Sequence, residues 1–412
     1  MLAPSNVNLL FGKGRVHFKR TGTSGFLDLG EVPKFETEPK VETDKKYSSR
    51  SGTNTLLLEW EKTREINAAL ELIEYNADNL NLAFMGDGVQ PGSQAAGQVD
   101  GLAVTVVPDL FVDIGSTLRH AITYRKVTHG AVTGNTFALG ETVTGGTSAK
   151  TAKVVRVGDG FLEVINDQGL QANEVITGGT STATATTTGV ETMKGAIVMP
   201  SSQFGARTAV GTPTGTNLPT VSGCFWDNAN IELHVKITTA GSPDKFKYSL
   251  DGGITWSSEI NCAVTATYLA KGIKVTWSAT TGGGLNDEWK WTVTARYQPG
   301  VDYDVEPGAG MIRKRSTGGI GASAVVSCDY PAKTLKSVRA LAGARIEGEL
   351  RFVGDPDQGP QWFVQGWKVL LTIGGAAAFI SDDVSPIPMN ASFQKDEANH
   401  PTEPFLRATE IE

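Results

Sequence analysis

Residues 31–51 read EVPKFETEPKVETDKKYSSRS, and the segments after them, TLLLEWEKTREINAALELIEY (55–75) and NADNLNLAFMG (76–86), decide how the chain is built. In the first segment acids and bases alternate with very few apolar residues: Glu36, Glu38, Lys40, Glu42, Asp44, Lys45, Lys46, Arg50. Such a stretch cannot bury itself in its own domain, so it is expected to project as a charged loop. The second segment has the period of a sheet. Leu56, Leu58 and Trp60 alternate with Leu57, Glu59 and Glu61, and a second apolar run, Ala68 to Tyr75, reads as another strand. The third reads as a short helix. Asn76 is placed to cap it, Asp78 lies in the first turn where a negative charge suits the helix dipole, Leu80 and Phe84 share a face, and Gly86 ends it.

Working outward, residues 1–12 form an arm ending in Leu9, Leu10 and Phe11, which a lone subunit leaves poorly covered, so the arm is expected to pack on a neighbour. A first strand, Arg15 to Arg20, puts Val16 and Phe18 on one face and Arg15, His17 and Lys19 on the other. Beyond Gly86 a turn-rich connector leads to strands at 102–107 and 120–127. An internal repeat follows: Glu141-Thr-Val-Thr-Gly-Gly-Thr-Ser148 recurs as Glu174-Val-Ile-Thr-Gly-Gly-Thr-Ser181. Residues 129–191 therefore read as an inserted two-fold β domain, with the Gly-Gly pairs supplying positive φ at hairpin turns. The spacing from Gly140 to Thr147 imitates a phosphate loop, but Gly146 stands where the lysine belongs, so a turn is expected.

Residues 192–216 form a Ser/Thr/Gly/Pro-rich connector, and 217–296 a second inserted, β-sandwich-like domain with alternation at 231–237, 245–250, 273–277 and 288–293. The two outer segments, 1–128 and 297–412, are expected to make one host core, because closure entropy rises only logarithmically with loop length and self-folding inserts are tolerated. In the C-terminal part, Ile346, Leu350 and Phe352 face one way and Glu347, Glu349 and Arg351 the other.

Composition limits the functions available. Among 412 residues, 48 glycines and short Val/Thr/aromatic runs are an all-β signature, and the formal charge of −7, with no long basic block, argues against a chain that grips DNA. Cys224, Cys262 and Cys328 lack chelating spacings, so buried thiols in a reducing compartment are expected. The histidines (His17, His120, His129, His234, His400) are scattered, and no apolar run approaches the roughly eighteen residues of a membrane span. No metal, cofactor or catalytic residue is expected.

Ser249-Leu-Asp-Gly-Gly-Ile-Thr-Trp256 fits the Asp-box pattern that recurs in sialidases. Physically it is a turn device: Asp251 accepts backbone N–H groups, glycines such as Gly253 take left-handed conformations, and Trp256 folds back, with Ser249 at the start. A glycosidase also needs paired carboxylates or a Tyr nucleophile, and a propeller needs several boxes; there is one, so an enzyme is not expected.

Gly30-Glu-Val-Pro33, the charged segment, the strand pair and Glu74-Tyr-Asn-Ala-Asp-Asn-Leu80, with Tyr303-Asp-Val, Gly348 to Asp355 and Trp367-Lys-Val-Leu-Leu later on, resemble the major tail tube proteins of long-tailed, non-contractile bacteriophages. The resemblance implies a mainly β fold, a sandwich or barrel core with one flanking short α-helix, here carrying the two inserted β domains. It also implies a non-enzymatic virion protein, assembled in the host cytoplasm, that stacks as homohexameric rings around a DNA channel. Partners would be further copies, a tape measure protein, and tail terminator and distal tail proteins, with no membrane insertion. On that expectation the 36–51 segment reaches the adjacent ring, the inserts decorate the exterior, and Glu347 and Glu349 make the channel wall acidic. The alternatives are a distal tail or baseplate protein, or a glycan-binding module in which Trp226, Trp256, Trp277 or Trp289 stack on sugars.

Overall fold

The computed structural model describes residues 12–50 and 52–411, so the arm residues Leu9, Leu10 and Phe11 lie outside the described part. The fold is mainly β and divides into two units: the chain up to Gly92 with Thr334 onward, and Ser93–Lys333. The strands Gln90–Gln94 and Lys333–Ser337 pair, so the exit from the first unit and the return to it are neighbours.

The first unit is built on one antiparallel sheet. Its N-terminal strands are β1 (Gly14–Arg20), β2 (Leu27–Asp28), β3 (Lys34–Ser48) and β4 (Thr55–Leu72). The sheet order is β2, β1, Ile346–Gly354, Gln361–Ile373, Ile387–Phe393, β4, β3, with Leu406–Ile411 also on the Gln361–Ile373 strand. Alternation works as the sequence implies: Val16, Phe18, Leu350, Val369 and Leu70 point into the core while Arg15, His17, Glu349 and Arg351 stand on the other face.

The charged segment is not a loop. It is β3, paired with β4 from Lys34↔Glu71 to Ser48↔Thr55, and the two apolar runs expected as separate strands are one 18-residue strand. Burial does not decide this outcome. A charged strand is stable when its backbone groups find a partner ladder and its side chains meet opposite charges across it, as Lys45 meets Glu59 at 3.3 Å.

The helix α1 (Ala77–Ala83) is the one helix among the described residues, and Asn76 caps it, its side chain accepting from Asn79 N–H at 2.8 Å. Leu80 and Phe84 are half-buried against the core, while Leu82, Ala83 and two asparagines are fully buried. Asn79 donates to the carbonyls of Leu29 and Glu74. Met85 (φ 50°), and not Gly86, takes the left-handed turn. Gly86 is needed for space, since a Cβ there would lie 2.2 Å from Asn81 Oδ1.

The second unit holds three cores. Strands Thr123–His129, Thr142–Gly145, Thr151–Gly158, Phe161–Ile165, Val175–Gly178 and Thr184–Lys194 close into a six-stranded barrel, because Phe161–Ile165 pairs with Thr123–His129 as well as with Thr151–Gly158. Val127, Val143, Val154, Leu162 and Ile176 fill it. A five-stranded and a three-stranded sheet drawn from 208–293 enclose Phe246, Trp277 and Trp289. The third core joins Val104, Ile122, Val198, Tyr303 and Val326. The expected host boundaries therefore move. Thr123–His129 is a barrel strand, so the barrel starts before 129, and segments near 93–122 and 297–333 pack with each other in the second unit instead of extending the first unit's sheet.

Candidate functional site

The distinctive feature of the first unit is the outer half of the β3–β4 pair. The neighbouring strand Ile387–Phe393 pairs with β4 only from Ile66 to Leu72, so from Glu65 and Lys40 outward the two strands continue as a ribbon. At about 3.3 Å per residue the ten steps from Glu65 to Thr55 reach roughly 33 Å beyond the sheet. Register shifts at Glu42/Thr43 and Lys46/Tyr47 add twist.

Of the expected contact residues, Glu36 and Glu38 remain on the sheet, Lys40, Glu42, Asp44, Lys45 and Lys46 lie on the ribbon, and Arg50 is in its turn. Lys40 and Glu42 pair at 3.1 Å; their mutual hydrogen bond raises the lysine's pKa and lowers the glutamate's. What the sequence reading missed is the apolar character of the ribbon. Leu56, Leu58 and Trp60, which the alternation puts on one strand face, are exposed together with Val41, Tyr47 and Leu57, which is 65% exposed. Three consecutive leucines leave a strand no polar face, and that was the available signal. An isolated two-stranded ribbon is marginal in water, and an apolar one needs a cover.

The polar face of the sheet carries a trough of about 770 Å³ whose lining includes Glu36, Glu38, Asn67, Thr372, Asn390 and Ser392. Glu347 and Glu349 stand on the same face, but neither is an open acid. Arg345 pairs with Glu347, while Arg351 reaches Glu349 at 2.7 Å and Gln365 donates to it at 2.5 Å. The expected acidic wall is here a row of compensated charges.

The motifs Gly30–Pro33 and Glu74–Leu80 meet in space. Glu74 Oε1 accepts the Glu31 N–H at 3.1 Å, and a Cβ on Gly30 (φ 77°) would collide with that carboxylate.

In the barrel the repeat is reciprocal. Glu174 accepts from Gln171 N–H (2.6 Å), Ser148 N–H (2.9 Å), Thr147 N–H (3.3 Å) and the Ser148 hydroxyl (3.0 Å). Glu141 accepts the matching set from Ala138, Ser181 and Thr180 N–H groups and the Ser181 hydroxyl. Each carboxylate holds the other copy's turn. The positive φ expected of the Gly-Gly pairs belongs instead to Ala149 (54°) and Thr182 (57°). Gly145 and Gly178 leave room for the carboxylates: a Cβ on Gly145 would lie 2.4 Å from Glu174 Oε2.

The Asp-box turn forms as its chemistry implies. Asp251 accepts the Thr255 hydroxyl (2.6 Å), the Thr255 N–H (2.9 Å) and the Ile254 N–H (3.1 Å), Gly253 N–H donates to Ser249 Oγ, and Trp256 Nε1 donates to the Gly253 carbonyl. The Ser249 hydroxyl and these donors hold the Asp251 carboxyl well below the usual range. Trp277 and Trp289, 2% and 3% exposed, belong to the core, and Trp226 packs on Tyr268. His234 sits between Glu288 (2.6 Å) and Glu232 (2.7 Å), an arrangement hidden in the alternation of Glu232 and His234 along one strand. The three cysteines are buried and free, and burial pushes the Cys262 and Cys328 thiols up to about 12. Cys224 lies in the barrel core and Cys262 in the sandwich core. Among the described residues no group of three His, Cys, Asp or Glu is placed to hold a metal ion, and no helix is long and apolar enough to cross a membrane.

In class this is a mainly β protein whose first unit ends in an exposed strand pair. A family model described as "Protein of unknown function UCP028589" matches residues 9–154, which takes in β1 to β4, α1 and the first part of the barrel. No curated protein matches the chain.

Proposed function

We propose that this chain is a structural subunit that polymerises, as the major tail tube protein of a long-tailed, non-contractile bacteriophage, into stacked hexameric rings around a channel for DNA. The observation that carries the reading is the ribbon: roughly 33 Å of paired strand with exposed Leu56, Leu57, Leu58 and Trp60 makes physical sense when another subunit covers it. The resemblance of the Gly30–Pro33 and Glu74–Leu80 motifs, which interlock here, supports the choice of family. On this reading the polar sheet face lines the channel. Arginines already paired with Glu347 and Glu349 neutralise few phosphates and so release few counterions from the DNA, which slides past without being held. The protein is then a virion component, assembled in the bacterial cytoplasm, that meets a tape measure protein and the proteins closing each end of the tail.

Negative-stain microscopy of the purified chain tests this. Six-fold rings or hollow tubes are expected, and a variant with residues 42–62 replaced by a short Gly-containing turn should stay folded and remain unassembled. A wild-type chain that stays monomeric at every concentration, or tubes of normal length from the shortened variant, would overturn the proposal.

A further inference from the structure

The first unit exposes two apolar patches of opposite charge at opposite ends of one strand pair. The first is the ribbon tip. Residues 45–58 carry Lys45, Lys46 and Arg50 and no acid, beside exposed Tyr47, Leu56, Leu57 and Leu58. The second is the loop 374–386, between the strands Gln361–Ile373 and Ile387–Phe393. It exposes Phe379 (70%), Ile380 (95%) and Val384 (75%), and its only charges are Asp382 and Asp383.

This loop is seated, not trailing. The Phe379 ring lies edge-on to Tyr75 at 5.8 Å and 6.3 Å from Phe84 at the end of α1, and exposed Leu341, whose N–H donates to the Phe84 carbonyl, borders it. Lys46 and Arg50 have no ion-pair partner among the described residues, and neither have Asp382 and Asp383.

Register places the two patches. Ile387, the first residue after the loop, pairs with Leu72 at the inner end of β4, whereas the tip lies beyond Thr55 at the outer end. Seventeen residue steps separate the ends, about 55 Å at strand rise. A copy therefore cannot fold its own tip onto its own loop; the partner must be a second copy displaced along β4.

We propose that the ribbon tip of one copy docks on the 374–386 loop of another, Leu56–Leu58 and Tyr47 against Phe379, Ile380 and Val384, with Lys46 and Arg50 facing Asp382 and Asp383. Two different patches meet, so the contact is head-to-tail and repeats along the strand direction. The apolar part supplies the burial, and the rim charges fix register and exclude the reversed contact, which brings like charges together. This inference rests on the polymer reading above and adds the acceptor, which that reading leaves open.

Cysteine cross-linking tests it. Leu57→Cys and Ile380→Cys are made as separate single variants, mixed and oxidised. A covalent dimer mapped to 57–380 is expected, requiring both introduced thiols, and none when Ile254→Cys, also largely exposed but on the Asp-box turn, replaces Ile380→Cys. As a second readout, Lys46→Asp should raise the concentration needed for assembly at least tenfold, and adding Asp383→Lys should restore it. Rings or tubes that form with no 57–380 link and no rescue overturn this contact and leave the polymer reading standing. Absence of both link and assembly overturns the two together.

Discussion

Removing the Glu174 carboxylate should loosen the barrel measurably. In Glu174→Ala three backbone N–H groups and the Ser148 hydroxyl lose their acceptor. An unsatisfied buried donor costs about 1–3 kcal/mol, and because Thr147 is exposed and Ser148 half-buried, water replaces part of the loss, so a total of about 3–4 kcal/mol is expected. For a cooperative unit of this size each kcal/mol moves Tm by about 2–4 °C, so the barrel transition should fall by about 6–16 °C. pH gives a second handle. Burial alone would raise the Glu174 pKa, but the donors of Gln171, Ser148 and Thr147 override it and hold it below the usual value. A depressed folded-state value means the stabilisation is fully present above the unfolded carboxyl pKa of about 4.3 and is lost as pH falls through the lower folded value. Calorimetry of the full chain between pH 7 and pH 3 should show an acid limb that Glu174→Gln flattens. The two copies bind alike, so Glu141→Ala should shift Tm by a similar amount. A Glu174→Ala transition within about 2 °C of wild type, or a Glu141→Ala shift several-fold smaller, would refute the reciprocal-clasp argument.

Three further outcomes follow from named contacts. Glu347→Lys with Glu349→Lys turns two ion pairs into a cluster of like charges beside Lys19, so assemblies of the double variant should retain duplex DNA in a filter assay at low salt and release it as salt rises; assemblies that ignore DNA at about 50 mM salt would count against the polar face lining the channel. Asp251→Ala should speed hydrogen exchange of the Ile254 and Thr255 amides at least tenfold while leaving amides of the Glu288–Val293 strand unchanged, and equal rates in both proteins would deny Asp251 its turn-holding role. Asn76→Ala removes the acceptor for the Asn79 N–H and should lower first-unit stability by about 1 kcal/mol in denaturant titration, with Asn76→Asp close to wild type.

Sequence alone revealed what depends on neighbours along the chain. Asn76 as cap, the alternation around Glu347 and Glu349, and the Asp-box donors of Asp251 are all contacts within a few residues or a simple period of two. It failed where a distant partner decides the state. The segment 34–48 has the composition of a loop and is a strand because β4 is long enough to pair with all of it. Thr123–His129 looked like host sequence and is the strand that closes the barrel. Glu347 and Glu349 looked like bare acids because the side chains that neutralise them also stand on the solvent face, where pattern says nothing about pairing. The alternation of Leu56 to Trp60 gives a strand but not its exposure; that Leu56 to Leu58 face water follows from the neighbouring strand stopping at Phe393↔Ile66.

The two units handle strand edges in opposite ways. The barrel has no edge, since its first strand pairs with both its fourth and its last, and such an element is complete in a single copy. The first unit leaves β3 as a 15-residue edge, yet Pro39, which has no N–H to offer, and a run of charges from Lys40 to Lys46 make that edge a poor template for indiscriminate pairing. Edge pairing is thus discouraged along β3, while the apolar tip at its end is left open. If the chain polymerises as proposed, an edge protected in that way with its apolar tip open would direct association to one place, which is the condition for a polymer of defined repeat instead of an aggregate.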